Sequence, residues 1–180
     1  MATFTDTELP FRAAAILDDG RTVAMDGFLA QVVRQEQAAG RRVQGCVMHR
    51  PGRAEGCAST MWLVDVHTGE QYLVSQPMGT GSTSCRADPQ GFARASCIFR
   101  AALSGSPDLV VCNRFGDLEA GGEGFRAELL EILARGLPLL TTVAERNVGA
   151  WHAFTGGAPV LPPEDAAVHA WVSQALAHAA

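Results

Sequence analysis

The chain contains no lysine: its 180 residues carry fourteen basic side chains and every one is arginine. That absence removes the compact ammonium that reaches the β- and γ-phosphates of a nucleotide from a glycine-rich loop. Arginine is a planar fork and does not replace a point charge in so tight a turn. Other absences narrow the field further. No apolar run approaches the roughly 20 residues that cross a bilayer, and the first twelve residues, MATFTDTELPFR, lack the basic and apolar regions of a secretory leader. Basic clusters are missing apart from Arg41-Arg42. With a net charge of −5 and a pI near 5.5, this argues against nucleic-acid binding. The five cysteines form no CxxC pair, so reduced thiols in the cytoplasm are expected. The five histidines lack HxxxH and HExxH spacing, and no serine sits in a GxSxG elbow. No catalytic residue and no metal ligand set can be named from motifs of this kind.

What is present reads as one α/β domain over residues 1–180. Residues 12–17 (RAAAIL) form a buried strand stopped by Asp18-Asp19-Gly20, and Asp26 is placed to cap a helix that ends at Gly40. A second strand covers 43–48. Two runs at 61–66 and 71–76 flank His67-Thr68-Gly69-Glu70, the pattern of an antiparallel hairpin. Asp88-Pro89 opens a helix expected to reach Leu103. The uninterrupted apolar run DLVVC at 108–112 reads as a strand buried on both faces. A helix at 125–135, strands at 138–143 and 159–161, a helical turn near 147–154 and a last helix from Pro163 complete the order. Strands alternating with helices imply a three-layer, mainly parallel sheet with helices on both faces and a hairpin at one edge.

In such sheets ligands sit beyond the carboxyl ends of the strands, and three loops qualify. The first, 18–25, has one glycine and two carboxylates. Its candidates are Asp18, Gly20 and Thr22, although two negative charges repel a triphosphate unless a metal intervenes. The second runs Met78-Gly79-Thr80-Gly81-Ser82-Thr83-Ser84-Cys85-Arg86. Glycines let backbone N–H groups converge, hydroxyls donate, and Arg86 adds a charged fork, the equipment for a tetrahedral oxoanion. The same stretch also reads as a solvated connection whose hydroxyls face water. Arg86 would lower the Cys85 thiol pKa, which leaves a redox role open. The third loop begins Asn113-Arg114-Phe115-Gly116 and carries Asp117 and Glu119. An amide and a guanidinium bind anions but do not hold magnesium as a carboxylate does.

DLVVCNRFGDLEAGGEGF at 108–125, RGLPLLTTV at 135–143, the GxGSxSCR loop with Asp88-Pro89, and the Trp151 to Gly157 region together resemble a bacterial family. That family is of uncharacterised function, its members often carry the label nucleoside-triphosphatase, and they are commonly encoded near molybdate-transport or molybdenum-enzyme genes. The chain is also similar to small P-loop nucleoside-triphosphatases. Their VGGF-type second strand is echoed by Val43-Gln44-Gly45-Cys46-Val47, and their acidic DEIG-type motif by Asn113-Arg114-Phe115-Gly116. The resemblance implies a P-loop NTPase-like fold in which the phosphate-binding lysine and the strand-end acid are both replaced.

Three functions follow as expectations. The first is a cytoplasmic protein that binds a small inorganic oxoanion, molybdate or tungstate, for storage, sensing or delivery. Gly79, Thr80, Gly81, Ser82, Thr83, Ser84, Cys85, Arg86, Asn113 and Arg114 would form its cage, with Asp18, Gly20, Thr22 and Glu119 in a secondary ring. The second is a divergent nucleoside-triphosphatase or phosphotransferase, with Asp18 or Glu119 holding magnesium beside a nucleotide. The third is an inactive regulatory module whose Trp151, Phe154 and Trp171 make a patch for a partner, against which stands simple burial of those rings. Nucleic acid and membrane are not expected partners, and homo-oligomerisation is expected only as a base rate.

Overall fold

The computed structural model describes residues 12–51, 60–77 and 85–177, the side chains of Pro77, Cys85 and Arg86 excepted. The chain alternates strand and helix from the start. Strand β1 (Ala13–Asp18) leads into helix α1 (Thr22–Ala38) and strand β2 (Val43–His49). The expected hairpin follows as β3 (Trp62–Asp65) and β4 (Gln71–Leu73). Asp65 shapes its turn by accepting the N–H groups of His67 and Thr68 at 2.8 and 3.3 Å. A two-stranded ribbon, β5 (Ser75–Pro77) with β6 (Cys85–Ala87), brackets residues 78–84, which lie outside the described residues.

Helices α2 (Pro89–Ala95) and α3 (Cys97–Ser104) stand where one helix was expected. Asp88 does cap the first, accepting the Gln90 N–H at 3.1 Å. The break comes at Ser96, which is a cap residue for both helices and whose hydroxyl donates to the Ala93 carbonyl at 2.8 Å. Strand β7 (Leu109–Val111), the single-turn helix α4 (Asp117–Ala120), helix α5 (Arg126–Ala134) and strand β8 (Leu139–Ala144) come next. A 3-10 turn (Glu145–Asn147), helix α6 (Val148–Thr155), strand β9 (Val160–Leu161) and helix α7 (Asp165–Ala177) complete the described chain.

Seven strands form one sheet in the order β4-β3-β2-β7-β8-β1-β9. The five from β2 to β9 are mutually parallel and the hairpin adds two antiparallel strands at one edge. Side-chain alternation separates two cores. Ala13, Ala15, Val110 and Leu139 face α2, α3, α5 and α6, where Phe99, Phe125, Leu129 and Trp151 pack. Ala14, Ile16, Leu109 and Leu140 face α1 and α7, where Leu29, Val32, Trp171 and Val172 pack. Each fully buried leucine or isoleucine here stabilises the fold by about 1.5–3 kcal/mol. The result is a three-layer α/β domain consistent with a P-loop NTPase-like fold.

Gly45 shows how closely the central strands approach. Its φ is +118°, and a Cβ there would lie 1.9 Å from the Val111 carbonyl oxygen. This is the glycine of the Val43–Val47 segment, and its carbonyl accepts the Val66 N–H at 3.0 Å.

Candidate functional site

Between β1 and α1 stand just Asp19, Gly20 and Arg21. Helix α1 therefore begins four residues before the expected cap Asp26, which lies inside it. Asp18, at the strand's end, is buried and accepts the Gly20 N–H and the Thr22 hydroxyl, each at 3.0 Å. The Arg114 guanidinium donates at 3.3 Å to Oδ2, the oxygen that also accepts the Thr22 hydroxyl. Asp18, Gly20 and Thr22 are thus brought together but satisfy one another. A buried carboxylate stands at the start of the turn where an anion would approach helix α1, and it repels one.

The other parallel strands converge on a cavity of about 390 Å³ at their carboxyl ends. From the chain after β2 comes Arg50, after β7 come Asn113 and Arg114, and after β8 comes Arg146. Asn113 is buried and locks β2 to β7. Its side-chain oxygen accepts the Met48 N–H at 2.9 Å, while its carbonyl accepts the Thr142 hydroxyl at 2.6 Å. Phe115 anchors the turn from beneath, its ring packed on Trp151 and Phe154.

Two carboxylates stand behind the arginines without lining the cavity. Asp26 bonds Arg50 Nε at 2.8 Å and lies 3.8 Å from Arg114 Nη2, while Asp18 takes the same Arg114 nitrogen. Burial pushes Asp26 above the ordinary carboxylate range, with Arg50 and Arg114 opposing it. Two atoms of this cluster are buried with no hydrogen-bond partner among the described residues: Arg114 Nε, a donor, and Asp26 Oδ1, an acceptor.

Glu119 holds the loop rather than a cation. Its two oxygens accept the Gly116 and Phe125 N–H groups at 3.0 and 3.1 Å, and burial, its largest influence, raises its pKa. Gly124 must be glycine beside it: its φ is +61° and a Cβ would lie 2.2 Å from Glu119 Oε1. Asp117 is held by a two-pronged contact from Arg146 at 3.1 and 3.0 Å, which lowers its pKa together with Asn147. Cys112 also lines the cavity. Its hydrogen bond to Cys46 and its burial push that thiol well up, so it stays protonated.

The sequence-derived cage divides in two. Asn113, Arg114 and Glu119 line the cavity with Asp18 behind Arg114, whereas Gly79, Thr80, Gly81, Ser82, Thr83 and Ser84 lie outside the described residues. Cys85 and Arg86 are placed by backbone alone, on β6, whose next residue Ala87 lines the cavity. Sequence reading missed Asp26, Arg50 and Arg146. The strand-end rule could have found the two arginines, since each follows a parallel strand. Trp151 and Trp171 are buried, so neither contributes to an apolar surface patch. Among the described residues no group of three or more His, Cys, Asp or Glu side chains could hold a metal ion.

Three arginines and an amide line the cavity beside the carboxylates of Asp117 and Glu119. Both carboxylates are already engaged, Asp117 by Arg146 and Glu119 by the Gly116 and Phe125 N–H groups. The guanidiniums are what a small anion would draw on. Comparison with known proteins gives this geometry a context. The chain belongs to the family described as "Protein of unknown function (DUF2478)", whose profile matches residues 13–171. It is similar to the molybdenum import ATP-binding protein ModC 2 of Bradyrhizobium diazoefficiens, at 37% identity over 167 residues. The match covers 90% of this chain but 18% of that protein. No solved structure matches the chain.

Proposed function

We propose that this member of the DUF2478 family is a cytoplasmic binding protein for a tetrahedral oxoanion, molybdate or tungstate, serving storage, sensing or delivery in molybdenum metabolism. One observation carries the reading: Arg114, anchored from behind by Asp18, lines a cavity at the strand ends on which the donors of three other residues converge. Arg50, Arg146 and Asn113 supply further donors. The Gly79–Arg86 segment would close the cage, its hydroxyls and Arg86 added to the described wall. Such an anion is held by hydrogen bonds alone, so selectivity rests on donor count and spacing. The relative's part in molybdenum import supplies the choice among oxoanions. No helix among the described residues is long and apolar enough to cross a membrane.

Calorimetry tests the proposal. Molybdate and tungstate should give saturable heat, with sulfate and phosphate weaker. Silence from all four at millimolar concentration removes the reading.

The relative's printed name also says that it binds ATP, which keeps a nucleotide hydrolase in view as a second reading. This chain spans 18% of that protein, and the turn after β1 has three residues and no lysine, with the buried carboxylate of Asp18 at its start. Magnesium-dependent phosphate release from ATP, abolished by Arg114→Ala, would favour it over oxoanion binding.

A further inference from the structure

The cavity is larger than an inorganic oxoanion needs. A tetrahedral oxoanion fills about the volume of two waters, on the order of 60 Å³; the cavity measures about 390 Å³. Spaces of that size ordinarily enclose organic molecules, with apolar walls and a few converging polar groups.

The lining is divided by chemistry, and the division follows the two faces of the sheet. Arg50 and Arg114 are tied to Asp26 and Asp18, one inside α1 and the other just before it. Met48, Met61, Leu63, Phe92 and Phe125 also line the cavity, and all five belong to the opposite core, packed with α2, α3 and α5. The sheet order adds a direction. Met61 and Leu63 stand at β3, toward the hairpin edge, Arg114 and Arg146 follow β7 and β8, nearer the centre, and Arg50 follows β2 between them. The central end of the space therefore holds Arg114 and Arg146 with the already bonded Asp117 and Glu119, and the hairpin end is apolar with Arg50 at its border. Two methionines beside two phenylalanines suit a flat ring, since thioether sulfur contacts aromatic edges favourably and an unbranched chain adapts to shape.

We infer that the cavity takes an organic anion: an oxoanionic head, as in a phosphate monoester, on the arginines, carrying a flat aromatic or heterocyclic body between Met61 and Phe92. This inference rests on the oxoanion reading for the head and departs from it in what the head is attached to. No bond is made or broken.

Methyl phosphate and phenyl phosphate share a head and differ in the body, so calorimetry of both, with molybdate alongside, tests the inference on the full chain. Phenyl phosphate should bind about 10- to 100-fold tighter than methyl phosphate, the gain expected from burying one ring. Met61→Gln, close in volume but polar, should cut that ratio several-fold while methyl phosphate affinity holds. Arg114→Lys should weaken both esters alike and leave the ratio intact. Equal affinities for the two esters with molybdate bound would overturn the organic ligand and leave the inorganic reading standing. A high ratio with molybdate silent would support the organic ligand and remove the inorganic one. Silence from all three anions would overturn both.

Discussion

Arg114 serves the fold and the cavity at once, and the two roles can be separated by substitution. Asp18 is 2% exposed at its side chain and leans on Arg114 for its charge partner. Arg114→Ala should therefore cost about 3 kcal/mol, mostly from an uncompensated buried carboxylate, read as a lower urea midpoint. Adding Asp18→Asn should restore much of that stability without restoring anion binding, because the donors facing the cavity are still missing. If anion binding returns with stability, Arg114 is structural and the oxoanion seat lies elsewhere. Asp26 gives the complementary case. It is a carboxylate close behind two cavity arginines, so Asp26→Asn should raise sulfate affinity about 3- to 10-fold in low salt. Its pKa and that of Glu119 are raised above the ordinary 3.8 and 4.5 by burial. The folded chain thus keeps these protons at pH values where the unfolded chain has lost them. Their contribution to stability is greatest at low pH and declines as pH climbs from the ordinary carboxylate range through the raised values. Sulfate binding should strengthen over the same descent in pH, and Asp26→Asn should flatten that dependence.

Elements were far more legible than the site, and the reason differs from one to the next. DLVVC announces β7 because a strand buried on both faces leaves no room for polar alternation, and His67-Thr68-Gly69-Glu70 announces the hairpin because Gly69 adopts φ +78°. Helix α1 was misplaced at its start because Asp26 has the residue type of a cap, yet its carboxylate is engaged by Arg50, 24 residues onward. Nothing local encodes such a pairing. The same is true of the cavity, whose arginines come from three separate strand ends and whose apolar wall comes from β2, the hairpin, helix α2 and the residue that precedes α5. Asn113 and Arg114 could be read because they follow the most obvious strand, while Arg50 follows one whose outer half looks ordinary. Ser96 split a helix whose apolar periodicity runs through the break. At this scale the firmest expectation concerns Gly45. A methyl group there meets Val111 backbone and not a movable side chain, so Gly45→Ala should cost about 3 kcal/mol or more. An unchanged denaturant midpoint would mean that β2 and β7 separate easily, and with them the two sides of the cavity.

For the whole molecule, cooperativity follows from how the two cores share their strands. Along β1, Ala13 and Ala15 face one core while Ala14 and Ile16 face the other, and β7 and β8 alternate likewise. Neither layer of helices can detach without exposing strands that the other layer also needs. A second tie joins α1 to α7: buried Glu36 is held by Arg41 and by His169 Nδ1, the latter at 2.7 Å, and His169 Nε2 meets Gln35 at 3.1 Å. Two of the three tryptophans report on each layer separately, Trp151 in one core and Trp171 in the other, while Trp62 stands on β3. Variants keeping only one or the other, with Trp62 replaced in both, should unfold in urea with fluorescence midpoints that match each other and the far-ultraviolet circular dichroism of the same variant, as two-state behaviour requires. An anion bound at the carboxyl edge contacts residues fixed by both layers, so it should move the two probes together. At a hundredfold excess over its dissociation constant that shift is about 2.7 kcal/mol. Should Trp171 report an earlier transition that the anion leaves unmoved, α7 unfolds independently and the cavity depends on the other core alone.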